Sequence, residues 1–163
     1  PPPPPPPPPP LFFFNHTTPY ELLRSLVGSE MCIRDREIGK FSLEHVSNTY
    51  TQDANGQIST HTNWKGTSDV AGIAYGTLIF GPNELMEMND SLEGGPVKWI
   101  VQAFLPNGSS LAGVGNGEWS KKPGEHIWTV DYIIQISDGS KIRSIGEIHL
   151  DSLIFSGTDY SVD

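Results

Sequence analysis

The sequence predicts an all-β fold: eight antiparallel strands in up-and-down order, closing into a barrel, with a two-sheet β-sandwich as the alternative packing. Three observations lead there. Eight segments between Lys40 and Val162 carry strand-like patterning, most of them joined by short turns rich in Gly, Asn, Asp or Pro. No segment holds a helical period long enough to form a crossover between parallel strands. In the stretch from Val97 to Phe155, four separate turns all place the same apolar face inward, and such agreement between turn chemistry and hydrophobic pattern is what a single fold requires. Closure buries that face and removes the exposed sheet edges.

The chain opens with a segment set apart from this pattern. Ten prolines, Leu11 and Phe12 to Phe14 are what a run of C bases passing into a run of T bases encodes. Tyr20-Glu21-Leu22-Leu23-Arg24 and the string from Ser25 to Arg36 follow, and this string resembles the translation of a sequencing-library adapter. Pro1 to Arg36 is therefore expected to be a non-native or disordered N-terminal segment. The other reading is a genuine Pro-rich tail of polyproline II form that recruits an aromatic-groove domain. Such a segment can stand where an export signal belongs, so the compartment stays open, cytoplasmic by default.

Residues 37–163 are expected to form one barrel domain, a length sufficient for a single core. The first 36 residues hold three acidic and three basic side chains, so the net charge of −9 belongs to the domain. That charge repels phosphate backbones and anionic lipid, which disfavours nucleic acid as a partner. No apolar run is long enough to enter a membrane as a helix. The single cysteine, Cys32, lies in the N-terminal segment, so the domain has no disulfide, thiol nucleophile or thiolate metal site. Oligomeric state is not legible.

Strands one and two, Lys40 to Thr51 and Gln57 to Ser68, form a hairpin around Ala54-Asn55-Gly56, with Val46 opposite Trp64, Tyr50 opposite Thr60 and Gln52 opposite Ile58. Strand three, Gly72 to Phe80, points inward either Tyr75, Thr77 and Ile79 or Ala74, Gly76, Leu78 and Phe80. The connection from Gly81 to Pro96 spaces Leu85, Met88 and Leu92 helically, which could form a short amphipathic lid over one barrel mouth, though a solvated loop or a plug that finishes the core is the preferred reading.

The later strands are more specific. Leu105-Pro106-Asn107-Gly108 and Ile136-Ser137-Asp138-Gly139 suit a type I turn closed by a left-handed glycine bulge. The first sets Ala103, Val101, Trp99 and Val97 opposite Leu111, Gly113, Gly115 and Gly117; the second sets Tyr132 opposite Ser144 and Trp128 opposite Ile148. A two-residue Asp-Gly loop would instead face Ile134 with Arg143, and a one-residue slip exchanges the faces. A tight turn at Pro123-Gly124 is expected to pair Trp119 with Trp128 and Gly117 with Val130, and the turn at Asp151-Ser152 to pair Leu150 with Leu153 and Ile148 with Phe155.

The resulting interior sets Trp99, Trp119, Trp128, Tyr132 and Phe155 beside Gly113, Gly115, Gly117, Gly146 and Gly157. Strand glycines signal tight bending, rings lying across bare backbone, or room for a ligand. Tyr132, Ser144, Tyr50 and Thr60 are the candidate polar contacts, with Trp99, Trp119, Trp128 and Trp64 as apolar walls of a binding pocket. No catalytic residue is assigned: strands four to seven are expected to carry no inward carboxylate, His, Lys or Arg, which leaves acid–base chemistry few candidates. Glu118, Asp131, Arg143, Glu147 and His149 fall outward. Glu147, His149 and Asp151 alternate and could ligate a metal, but a charged solvent face accounts for them, so no metal or other cofactor is expected. His45, His61 and His126 read as surface residues.

Trp64-Lys65-Gly66, Gly117-Glu118-Trp119 and the Trp/Gly-rich later strands resemble the small calycin-like barrels related in shape to allene oxide cyclase, including uncharacterised bacterial members. The resemblance spans Phe41 to Val162 and implies an apolar barrel that folds a reactive lipid epoxide by shape. No catalytic motif accompanies it, so activity is carried as an analogy. Lipocalins place their Gly-x-Trp on the first strand, whereas here it lies on the fifth. Three functions follow as expectations: a barrel binding a small apolar or amphipathic molecule, a cyclase- or isomerase-like enzyme, and a structural or interaction barrel without ligand.

Overall fold

The computed structural model describes residues 2–4 and 36–162; the rest of the N-terminal segment lies outside the described residues. The strands are β1 (Glu37–Gln52), β2 (Ile58–Ser68), β3 (Gly72–Asn83), β4 (Gly94–Phe104), β5 (Ser110–Lys121), β6 (Ile127–Ile136), β7 (Lys141–His149) and β8 (Ile154–Ser161). They close in sequential order into an antiparallel barrel. The seam joins β1 to β8, with Leu43 opposite Phe155 and Phe41 opposite Gly157, so every strand has two partners and no edge is left to template aggregation.

One turn design sets the register three times. Asp53, Leu105 and Ile136 each donate their N–H to the residue four positions on and accept at their carbonyl from the glycine three positions on, at 2.9–3.0 Å. Gly56, Gly108 and Gly139 have φ of 83°, 90° and 94°, a left-handed conformation that a Cβ disfavours. The expected pairings from β4 to β5 and from β6 to β7 follow. From β5 to β6 the expected register is corrected: Trp119 pairs with Val130, Gly117 with Tyr132 and Lys121 with Trp128. The turn there spans Lys122 to Glu125 and is followed by His126 before pairing resumes. That loop is longer than a tight Pro-Gly turn, and the two-residue shift keeps the same face inward because strand period is two.

Two expectations in the first half are also revised. β1 carries a bulge between His45 and Ser47, so His45 rather than Val46 faces Trp64, and Val46 is 54 % exposed. Strand three resolves in favour of its even set: Ala74 and Leu78 are buried, whereas Tyr75 is 54 % exposed. The connection after β3 holds a single 3-10 turn, Leu85–Glu87, in place of an amphipathic helix. Leu85 and Met86 are exposed, and Leu92 packs on the core. Three residues of 3-10 turn cannot present a continuous apolar stripe.

Across the middle of the barrel Phe155, Leu78, Val97 and Val130 are fully buried. Phe155 meets Phe41, Trp64 and Trp99 edge-on, at ring-centroid distances of 5.0, 5.6 and 6.0 Å. The glycines make this possible. A Cβ on Gly76 would stand 2.2 Å from the Trp99 ring, and one on Gly117 1.9 Å from the Asp131 carbonyl oxygen. Rings resting on bare backbone therefore explain much of the Trp/Gly pairing, and the aromatic layer divides the interior into two ends.

Candidate functional site

The narrow end holds a cavity of about 90 Å³, walled by Trp99, Val101, Ala103, Ile134, Ile142 and other apolar groups. Its polar groups form one row. Tyr132 on β6 pairs with Ser144 on β7, which pairs with Asp159 on β8, so three inward side chains lie side by side on adjacent strands. Tyr132 is 3 % exposed, Ser144 1 % and Asp159 4 %. The Ser144 hydroxyl donates a short hydrogen bond to the Asp159 carboxylate. Ser68 lines the same cavity, and its hydroxyl oxygen accepts from the Val70 and Ala71 N–H groups at 3.2 and 3.3 Å.

Burial dominates the electrostatics of this row. It raises the Asp159 carboxyl above the ordinary carboxylate range, against the pull of the Ser144 and Ser68 hydrogen bonds and with a small further push from the Asp69 charge. Burial, reinforced by Asp159, also raises the Tyr132 phenol well above its usual value. Tyr132 thus keeps its proton and can donate to an oxygen in the cavity. Asp159, capable of either protonation state, can take or give one.

The wide end holds a cavity of about 440 Å³ lined by Trp64, Trp119, Trp128, Phe80, Met88 and Leu92 among others, with Thr60 and Thr62 on its β2 wall. Trp64 donates its indole N–H to Thr62 Oγ1 at 2.7 Å, and Thr62 donates in turn to the Leu78 carbonyl at 2.9 Å. Trp119 differs. Its Nε1–H is buried with no acceptor among the described residues, an omission that costs about 1–3 kcal/mol. The rim carries Lys121, His45, His126 and His149.

The expected pocket residues therefore divide. Tyr132, Ser144 and Trp99 line the narrow cavity; Trp64, Trp119 and Trp128 line the wide one. Tyr50 lines neither, being 62 % exposed beyond the mouth, where its hydroxyl accepts from Asn48 Nδ2 at 3.1 Å. β1 outruns β8 there, pairing with it only as far as Glu44. The expectation that strands four to seven carry no inward ionisable group is corrected by Lys121, which ends β5 on the Trp119 face and lines the wide cavity. Asp159 escapes the sequence reading because the pairing inferred for strand eight ends at Gly157; its odd number shares the parity of Phe155 and Gly157 and marks it as inward. His149, expected outward, and His126, expected on the surface, both stand at the wide mouth.

Outside, Arg143 grips Asp131 through Nε at 3.0 Å and Nη2 at 2.7 Å. Glu147 lies 3.3 Å from His149 Nε2 and forms an ion pair with Lys122 at 3.7 Å. Among the described residues no group of three His, Cys, Asp or Glu is placed to hold a metal ion, and no helix is long and apolar enough to cross a membrane. The chain matches no family model, no curated protein and no solved structure.

Proposed function

We propose that this barrel binds a small, largely apolar molecule at its narrow end and holds one oxygen of that molecule against the Tyr132–Ser144–Asp159 row. Asp159 is the observation that carries the reading. A carboxyl 4 % exposed, bonded to the Ser144 hydroxyl and paired with no cation among the described residues, costs stability that an apolar residue would not. Buried, shifted ionisable groups facing a cavity cluster at functional sites. The volume, about 90 Å³, is below the roughly 150 Å³ that accepts benzene in an engineered core. It suits the oxygen-bearing end of a small ligand, the remainder lying in the opening of the cavity.

The chain has four tryptophans, so four indole N–H signals report on binding by NMR. Titration with cyclopentanone and 1-pentanol should shift the Trp99 signal saturably, because its ring lies 6.1 Å from that of Tyr132, and Ser144→Ala should weaken the response. A Trp99 signal indifferent to both compounds would count against the reading.

The same carboxyl favours a second reading, a cyclase- or isomerase-like enzyme in which Asp159 moves a proton and Tyr132 steadies a ligand oxygen. Asp159→Asn and Tyr132→Phe would then abolish turnover of an epoxide or enone substrate while the fold persists. Turnover unchanged in both would remove it. A third reading, a barrel that acts through its outer surface, draws on exposed apolar residues of β3 to β5. Ile73 pairs with Phe104, Ile100 with Val114, and Tyr75 meets Phe104 edge-on at 6.1 Å. Sedimentation at rising concentration distinguishes a self-associating barrel from a monomer.

A further inference from the structure

The wide end has the opposite chemistry from the row at Asp159. Lys121 and Trp128 are directly paired across β5 and β6. The Trp128 ring is stacked by His126, centroids 6.0 Å apart and planes 23° from parallel. Among the described residues the Lys121 ammonium makes no ion pair and the His126 ring nitrogens make no hydrogen bond, whereas His149 is engaged by Glu147 at 3.3 Å and His45 by Asn48 at 2.7 Å. Asp90 is the one carboxylate among the described residues lining this cavity. In a chain of net charge −9, this mouth sets one half-buried lysine against one carboxylate and adds the ring N–H and N groups of three histidines, so it is neutral where the chain as a whole is acidic.

The walls select shape. The indoles of Trp119 and Trp128 and the edge-on pair of Phe80 with Trp119, at 5.7 Å, give flat apolar surface. A volume of about 440 Å³ falls within the range of about 300–1,000 Å³ typical of small-molecule sites. We propose that this mouth binds a planar organic anion, an aromatic carboxylate, its ring system against Trp119 and Trp128 and its carboxylate at Lys121 and His126. The site shares no residue with the narrow end, so it stands whether or not the reading of that end holds.

Calorimetric titration with 2-naphthoate and with neutral 2-naphthamide tests it, alongside indole N–H spectra of the same samples. Naphthoate should bind about ten-fold tighter than the amide, the equivalent of one charge-assisted contact. Lys121→Met should erase that preference and Lys121→Arg keep it, both checked for unchanged circular dichroism; His126→Gln should weaken naphthoate by a smaller factor. The Trp119 and Trp128 signals should shift while Trp99 stays in place. Equal affinity of the wild-type protein for acid and amide, no binding of either, a preference that survives Lys121→Met, or a response at Trp99 alone would overturn the proposal.

Discussion

At the narrow end of the barrel, Tyr132, Ser144 and Asp159 stand on three neighbouring strands in strict register, and apolar walls surround them. At the wide end the walls are aromatic; Thr60 and Thr62 come from within β2, but the groups proposed to meet a ligand's charge, and their neighbours Asn89 and Asp90, come from a strand end and loops: Lys121 and His126. The first arrangement is fixed by the sheet ladder itself, so its three groups keep their spacing. The second can adjust, because loop-borne groups move more easily than strand interiors. The two ends therefore suit different chemistry: a buried, pre-positioned acid at one and, as proposed, an open and adaptable anion acceptor at the other.

What separates the two ends is the aromatic layer around Phe155, so the largest expected effect lies there. Phe155→Ala should cost about 3–5 kcal/mol in urea unfolding, as for other buried phenylalanines, and should let a probe bound at one end shift indole signals at the other. A loss under about 1 kcal/mol would show that this ring does not hold the layer together. Next is Gly117→Ala, whose methyl would press on the main-chain oxygen of Asp131 at 1.9 Å; backbone cannot swing aside, and about 1–3 kcal/mol should be lost by the same measurement.

The narrow end makes a prediction in pH. Because burial raises Asp159, the folded protein holds that proton to higher pH than the unfolded chain, whose carboxyl titrates near about 3.9. The favourable contribution is complete below that pH and is lost as pH rises through the folded value. Asp159→Asn removes the dependence, so the variant's denaturation midpoint should gain on the wild type as pH rises above about 4. Ser144→Ala acts in the other direction. It removes a donor that stabilises the ionised form, so its cost, about 1–3 kcal/mol, should be larger at neutral pH than in acid. A flat difference for either variant would mean that Asp159 is as well solvated folded as unfolded. The smallest effect belongs to neither end: Asp131→Asn, breaking the outer bridge to Arg143, should cost about 0.2–1 kcal/mol and diminish in high salt.

The sequence is most legible where turn chemistry and face pattern constrain one another. Asn107-Gly108 and Asp138-Gly139 dictate a bulged loop, and the loop dictates Trp99 against Gly115 and Tyr132 against Ser144. It is less legible where one extra residue escapes the pattern. The bulge at Val46 leaves no mark in a strand of mixed polarity, and the five residues from Lys122 to His126 read as a tighter turn than they form. The site is half visible. Aromatic and hydroxyl residues of the interior stand out, but parity alone cannot say that Phe155 and its neighbours split them between two cavities. Asp159 and Lys121 are hidden by their type: each continues an inward row by one step, past the point where apolar residues cease to mark it.

The most direct test of the divided interior is one NMR titration of the wild-type protein, cyclopentanone first and 2-naphthoate second, following the four indole N–H signals. Cyclopentanone should move Trp99 alone, naphthoate should then move Trp119 and Trp128 with unchanged affinity, and the two sets of shifts should add. Competition between the two compounds, or a single set of indoles answering to both, would mean that the barrel encloses one compartment and that the account of two ends is wrong.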